Sequence, residues 1–427
     1  MNSIRNVLWS LGGLGLRTVV QVVYFVLLAR VLGPKEYGAL SSALAIVYIF
    51  VPYATWGAGD ILVKNVSRNR KTFGEFWGSA LLSILIFGSV FFILALFCYS
   101  LFLADKVSIV PVVLLCLSEL FFLRIIDTTI QAYQAFELMS RTALVQFVFG
   151  LIRLLFTLFF VGFVDNHSVT TWSVLYMTST ITSAMFCLLI VRRELGEARF
   201  VFSHIRNNLR EGFYFCLSPS SQSIYNDFDK SILPKYVSLG ITGNYSAAYK
   251  IIDALCVPLK ALLQTFYARF FIKGADGVAA GRKFALKLLP VFFLYSVFAI
   301  SFLVIFARYI PVLFGDSYKD AINIILLLSP VILFRAIHSL GADALTGVGM
   351  QAKRSLIQVS VAILNAALCL ILIPMNGWVG AARASLLSDG ILALLIWIMI
   401  FSASETFPPI QKRLDNKDPA PMTSSIE

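Results

Sequence analysis

Residues 361–374 read VAILNAALCLILIP, and residues 377–401 read GWVGAARASLLSDGILALLIWIMIF. Neither run alternates apolar with polar residues, as a strand of an outer-membrane barrel would. Carried back to residue 355, the first run reaches the roughly 20 residues that take a helix across the hydrocarbon layer. The second does so unaided. Inside a bilayer a lone segment must satisfy its own backbone, and only a helix does this. The two runs therefore read as a pair of membrane-spanning helices joined by a tight turn.

Similar runs recur along the whole chain. Of its 427 residues 59% are hydrophobic and 14% charged, and the mean hydropathy is +0.83. A soluble domain carries about a quarter charged residues. The expectation is an all-α integral membrane protein with twelve spans near 6–32, 38–63, 75–103, 107–133, 141–164, 170–191, 211–237, 241–268, 284–309, 320–346, 355–374 and 378–401. The seventh would score weakly in a hydropathy window, because Ser218, Ser220, Ser221, Gln222, Ser223, Asn226, Asp227, Asp229 and Lys230 lie in it. It is retained because the loop charges fail to alternate without it.

With the N-terminus placed in the cytoplasm, the inner side receives Arg5, then Lys64, Arg68, Arg70 and Lys71, then Arg192, Arg193, Arg199, Arg206 and Arg210. It also takes Lys273, Arg282 and Lys283, then Lys353 and Arg354, and last Lys412, Arg413 and Lys417. The outer side receives only Lys35, Lys106 and Lys319. This is the positive-inside pattern, and it puts both termini in the cytoplasm. The net charge of +12 is thus a topology signal and a partner for anionic lipid headgroups, not a nucleic-acid patch. The first apolar stretch is long and lacks a small-residue cleavage site, so it reads as a span rather than a signal peptide. The stretch from Ser402 onward, rich in Pro, Ser, Asp and Lys, reads as a disordered cytoplasmic tail.

Chemistry of the enzymatic kind has no foothold. The six cysteines (Cys98, Cys116, Cys187, Cys216, Cys256 and Cys369) all fall inside apolar segments without metal-ligand spacing, and read as small apolar fillers. A P-loop and a dinucleotide fingerprint are missing, there are three histidines, and the acidic residues form no loop cluster for a metal and a sugar nucleotide. Neither catalysis nor a cofactor is expected.

The chain repeats itself. Gly38-Ala39-Leu40-Ser41-Ser42-Ala43 opens span 2, and Gly243-Asn244-Tyr245-Ser246-Ala247-Ala248 opens span 8; each follows a Leu-Gly turn, Leu32-Gly33 and Leu239-Gly240. The offset, 205 residues, is close to half the ordered length. It divides the chain into an N-terminal six-helix bundle at 1–205, a C-terminal one at 206–401 and the tail 402–427, the bundles being parallel repeats around a central cavity.

Charged side chains inside a membrane cost roughly 2.5–3.5 kcal/mol each on insertion scales, so they face water, one another or a substrate. Arg124 with Asp127 and Lys250 with Asp253 are each three apart and share a helix face. Arg17, Asp229 and Arg335 sit well inside their segments with no evident partner on the same helix. Span 1 is interrupted by Gly12, Gly13 and Gly15, and span 7 by Pro219. At the repeat offset, Arg17, Gln21 and Tyr24 fall on Gln222, Asn226 and Asp229, a polar stripe spaced four then three along one helix face. Interrupted polar segments at matching positions of two halves point to a transport site. The plain alternative is a helix–helix interface joined by Ser and Gln hydrogen bonds.

Three stretches carry a resemblance: Ala29-Arg30-Val31-Leu32-Gly33-Pro34-Lys35-Glu36-Tyr37-Gly38; Asp227-Phe228-Asp229-Lys230 followed by Gly243 to Lys250; and Leu313-Phe314-Gly315-Asp316-Ser317-Tyr318. Over nearly its whole length the chain resembles polysaccharide and O-antigen flippases, the Wzx-type branch of the multidrug/oligosaccharidyl-lipid/polysaccharide exporter superfamily. Twelve spans rather than fourteen argue against the lipid II flippase branch. The resemblance implies two six-helix bundles in a V, opening alternately to the two sides of the inner membrane. The implied substrate is an undecaprenyl-pyrophosphate-linked oligosaccharide, and the implied coupling ion is H+ or Na+. A polysaccharide polymerase and a chain-length regulator are the implied protein partners.

Under that reading Arg17 and Arg335, then Arg153 and Arg383, are the candidates for the pyrophosphate, because guanidinium matches phosphate oxygens. Tyr24, Tyr225 and Trp56 are candidates to stack on sugar rings. Asp60 and Asp229 are the coupling-ion candidates, and Gln21 and Gln222 line the cavity. The rival readings are a multidrug exporter of the same superfamily, for which acidic aromatic cavities are expected, and a non-transport scaffold for glycan-assembly enzymes.

Overall fold

The computed structural model describes residues 2–403, with side chains over 21–403 apart from those of Ser218 and Ala268. Among the described residues every regular element is helical. In order these are α1 (Asn2–Phe50), α2 (Ala58–Val66), α3 (Phe73–Phe102), α4 (Ile109–Leu117), α5 (Leu123–Ala135), α6 (Met139–Phe163) and α7 (Val169–Glu194). There follow α8 (Phe202–Tyr236), α9 (Leu239–Ala275), α10 (Val278–Phe306), α11 (Ile310–Phe314), α12 (Ala321–Leu328), α13 (Val331–Gly347) and α14 (Gln351–Ser402). The tail 404–427 and the side chain of Arg17, on both of which the sequence raised expectations, lie outside the described residues.

Eight described helical stretches are long and apolar enough to cross a membrane, or nine if the bent pair Leu239–Tyr267 and Arg269–Ala275 forms one span. Two helices hold two expected spans each. Gly33 (φ 69°) bends α1 and Gly377 (φ 58°) bends α14, at the turns expected between spans 1 and 2 and between spans 11 and 12. A left-handed φ of this kind is open to glycine at little cost. The polar helix α8 falls short of the hydropathy test, as its serines, asparagine and aspartates foretold, yet it is helical from end to end. All twelve expected spans thus correspond to helix, and the chain is a multi-pass membrane protein.

Side-chain placement is inside-out relative to a soluble fold. Phe163 is 79% exposed, Met375 73% and Leu356 68%, while Ser83, Ser173 and Ser183 are buried. In lipid the hydrophobic effect no longer drives helices together, so small residues and hydroxyls occupy the interfaces. Those hydroxyls are satisfied locally: Ser83 donates to Ser79 carbonyl, Ser173 to Val169 and Ser183 to Ser179.

Three spans expected to be continuous are broken. Span 2 passes from α1 through a 3-10 turn at Val51–Tyr53 to α2, with Trp56 (φ 49°) and Gly57 (φ 67°) both left-handed. Span 4 carries a π-helical turn at Ser118–Phe122 between α4 and α5. Span 10 is interrupted at Ser329-Pro330, between α12 and α13. Pro52 and Pro330 are the sequence marks of the first and third breaks, since proline lacks the N–H that a continuous helix needs; the π turn has no such mark.

Packing divides the chain into two compact units. One comprises Met1–Lys250, Ala307–Ile325 and Ala366–Ala381; the other comprises Ile251–Phe306, Leu326–Asn365 and Ala382–Glu427. The first has a core between α2, α3, α5 and α7 built on Leu62, Phe73, Trp77, Tyr133 and Cys187. At one edge of it the Tyr133 hydroxyl donates to Glu194, which also pairs with Arg141 at 2.7 Å. Outside the spans, Tyr318 donates to Ala29 carbonyl at 2.8 Å, and burial pushes its phenol above the ordinary tyrosine range. In the second unit α9 and α13 meet closely at Gly274 and Gly347, and the Tyr295 hydroxyl of α10 donates to Leu255 carbonyl of α9 at 2.8 Å.

The sequence repeat is also a contact inside the first unit. A Cβ on Gly38 would strike Leu239 carbonyl and Gly243 nitrogen; a Cβ on Gly243 would strike Pro34 carbonyl and Gly38 nitrogen. Adding 205 to 34 and 38 gives 239 and 243, so each contact is the image of the other. The two repeated turns meet as a self-complementary pair, the relation that a local two-fold axis produces.

Candidate functional site

Charged side chains converge at three places within the described spans. The first, in the first unit, is built by α1, the π turn, α6 and α7. The π turn carries Glu119, which is 1% exposed. Such an extra residue in a helix re-aims the side chains around it and is common at functional sites. Glu119 accepts a hydrogen bond from the Tyr176 hydroxyl and has Arg124 at 3.8 Å, itself paired with Asp127 at 2.7 Å as their spacing of three predicted. The second oxygen of Glu119 is buried without a hydrogen bond.

Arg153 of α6 reaches into the same place. Its guanidinium lies 4.3 Å from the ring centre of Tyr176, 5.1 Å from Tyr24 and 5.4 Å from Phe149. Cation–π contacts out of water are each worth about 2 kcal/mol or more, which is how the charge is tolerated at this depth. Among the described residues no carboxylate lies within ion-pair distance of it, and its Nε–H is buried without an acceptor. Tyr48 lies in the electrostatic range of Glu119, Arg153 and Asp227, and so links this place to the next.

The second place is on α8 and α9, also in the first unit. Lys230 is buried, its ammonium donating to Asn226 carbonyl and standing 3.3 Å from Asp227, 3.7 Å from Asp229 and 4.5 Å from the Tyr249 ring centre. Asp229 was expected to lack a partner on its own helix; it has Lys230. One carboxylate oxygen accepts Lys230 backbone N–H at 2.7 Å and the other accepts the Tyr245 hydroxyl at 2.7 Å.

The third place is in the second unit. Arg335 Nη1 of α13 is 2.6 Å from Asp253 of α9, and its Nε is 3.9 Å from Asp389 of α14. His338, one turn along α13, stands 3.5 Å from Asp389. Arg335 finds its partners on other helices, so a search confined to its own helix returned nothing. The Asp253 carboxylate meets Arg335.

Of the remaining sequence candidates, Gln21, Gln222, Asp60 and Arg383 are exposed. Asp60 accepts from Gln131 at 3.3 Å. Of the expected polar stripe, Tyr24 and Asp229 face built polar clusters, and Gln21 and Gln222 present exposed side chains. Tyr225 is half-buried on α8. Trp56, a candidate sugar platform, is committed to the fold: its ring stacks on Phe87 at 4.7 Å and its N–H donates to Leu209 carbonyl at 2.9 Å. Tyr48 and Tyr176 were not singled out, because a tyrosine in an aromatic-rich chain carries no distinguishing mark. Among the described residues no set of three or more His, Cys, Asp or Glu side chains is placed to hold a metal ion.

Residues 3–267 match the family described as polysaccharide biosynthesis protein. The chain belongs to that family. A relative of this polysaccharide biosynthesis protein in Escherichia coli (strain K12), named "Putative O-antigen transporter", is 21% identical over 342 residues, 77% of this chain and 79% of its own. Among solved structures, the lipid II flippase MurJ in an inward closed conformation superposes with a TM-score of 0.74 at 13% identity, over 93% of this chain and 88% of its own. An inward-facing multidrug resistance MATE family transporter of the MOP superfamily gives 0.73 at 14% identity, over 90% and 94%. A MOP superfamily transporter from Pyrococcus furiosus, whose binding pocket is described as reversed in polarity, gives 0.62 at 15%, over 91% and 93%. These likenesses place the fold among the MOP superfamily transporters.

Proposed function

We propose that this polysaccharide biosynthesis protein is a flippase for lipid-linked saccharide. It carries undecaprenyl-pyrophosphate-linked repeat units of an O-antigen, capsule or exopolysaccharide from the cytoplasmic to the periplasmic face of the bacterial inner membrane. Its two six-helix halves open alternately, the termini are cytoplasmic, and H+ or Na+ drives the cycle. The observation that carries the reading is Arg153, a buried cation held by tyrosine faces, with no carboxylate in ion-pair distance among the described residues and an Nε–H that lacks an acceptor. A pyrophosphate supplies what is missing, and charge-assisted bonds from arginine to phosphate oxygens are among the stronger polar contacts. Tyr24 and Tyr48 beside it offer hydroxyls and ring faces to the first sugar. The family, the name of the Escherichia coli relative and the fold shared with a lipid II flippase support the same class of substrate.

The multidrug reading keeps one observation in its favour, the MATE fold. One experiment separates the two. In a strain lacking the gene, surface polysaccharide and the pool of lipid-linked repeat units are measured together. Lost polymer with accumulated lipid-linked units is expected for a flippase. Normal polymer, an unchanged pool and greater sensitivity to cationic drugs would overturn it.

A further inference from the structure

We infer that His338 and Asp389 form a proton-binding pair, the place where one proton enters and leaves the second unit. The case begins with how the carboxylates inside the spans are satisfied. Both oxygens of Asp229 already accept hydrogen bonds, and Asp60 is exposed with a Gln131 amide on it. Asp389 differs. It is fully buried, and neither of its oxygens accepts a hydrogen bond. His338, 3.5 Å away, has both ring nitrogens buried and without hydrogen bonds. Two groups that can each bind a proton thus face one another, neither of them hydrogen-bonded, and a buried polar group left so is costly.

Arg335 is divided between Asp253 at 2.6 Å and Asp389 at 3.9 Å, so the fully buried Asp389 carboxylate holds the guanidinium only loosely. A proton taken up here is shared between ring and carboxylate as a coupled unit. Among the described residues the other titratable or charged groups at this place are Asp253 and Cys256 from α9 and Arg335 from α13 itself, with Lys260 of α9 and Tyr295 of α10 beside Cys256.

The ligand is a proton rather than a metal cation. Hard cations seek several oxygen ligands, whereas Asp389 is approached by two nitrogens, His338 Nε2 at 3.5 Å and Arg335 Nε at 3.9 Å. The guanidinium would repel a second fixed cation. Because Arg335 is shared with Asp253 on α9, loading Asp389 frees Arg335 to bind Asp253 alone, so protonation changes the tie between α9, α13 and α14. Its use as the coupling step rests on the transport reading above; the protonation itself does not.

The chain contains only three histidines, His167, His204 and His338, which makes the test direct. The full-length protein, labelled with nitrogen-15 at histidine and held in lipid nanodiscs, is followed by NMR without substrate, with His338→Gln assigning the signal. The His338 ring signals are expected to respond to pH. In Asp389→Asn, with thermal denaturation showing an intact fold, that response is expected to change or vanish. A ring that does not respond to pH, or that responds identically in Asp389→Asn, overturns the pair. A ring that answers to added sodium ion at fixed pH, and not to pH, also overturns it in favour of a metal cation. Loss of surface polymer in His338→Gln cells at wild-type protein level ties the pair to transport. A ring that titrates in a protein whose gene deletion leaves lipid-linked saccharide untouched would sink the flippase reading and leave the pair standing.

Discussion

Arg153 in the first unit lies against three ring faces with no carboxylate in ion-pair distance among the described residues, whereas Arg335 in the second is held 2.6 Å from Asp253 and 3.9 Å from Asp389. Both are arginines within spans, where the charge must be compensated. The first is compensated by aromatic quadrupoles, which stabilise the positive charge without occupying every donor. The second is compensated by ions of opposite sign, which fixes its geometry and couples three helices. An arginine caged by rings is suited to receive an anion that comes and goes; one clamped by carboxylates is suited to hold helices and to respond when a carboxylate changes its charge. Sequence treats them alike.

The comparison breaks most readily at Arg335. Arg335→Ala should leave the buried Asp389 carboxylate without its guanidinium, and removing one partner of a buried charge pair costs about 3–5 kcal/mol. Thermal denaturation in detergent should show it as a marked loss of stability, relieved when Asp389→Asn is added. A stable Arg335→Ala protein would mean that the clamp contributes nothing. At Arg153 the order of effects should reverse. Arg153→Ala should fold, because no buried carboxylate in ion-pair distance loses its counter-charge. It should nonetheless lose transport by the equivalent of about 1.5–3 kcal/mol, the worth of a hydrogen bond to a charged group. Complementation of surface polymer in the deletion strain reads this, and Arg153→Lys should recover only part, since the planar fork is gone. Full complementation by Arg153→Ala removes the anion site. The smallest effect should come from Trp56→Phe, which keeps the stack on Phe87 and loses one hydrogen bond to Leu209 carbonyl, about 0.5–1.5 kcal/mol of stability. Polymer output should not change; a large fall would return Trp56 to the list of sugar-contacting residues.

The spans were legible because each is a local property: an apolar run of the right length must be helix in lipid, whatever surrounds it. The turns at Gly33 and Gly377 were legible for the same reason. The polar character of α8 was readable too, and so was the Arg124–Asp127 pair, which needs only a spacing of three. Partners on different helices were not. Nothing in the order of residues brings Asp253 to Arg335, Tyr176 to Glu119 or Arg153 to Tyr24. The π turn at Ser118–Phe122 was equally hidden, because no residue type marks it, and it is what rotates Glu119 into the cluster.

By itself the sequence determined that this chain lives in a membrane and roughly where it crosses. It also marked which charges sit at bilayer depth. Only the tertiary structure decided what each charge does, because in low dielectric a buried ion is defined by the groups within about 4 Å of it, and those come from elsewhere in the chain. The repeated turns make the same point. Sequence matched Gly38 with Gly243 across 205 residues; packing alone set them against each other, backbone to backbone, each filling the space that the other's missing side chain leaves.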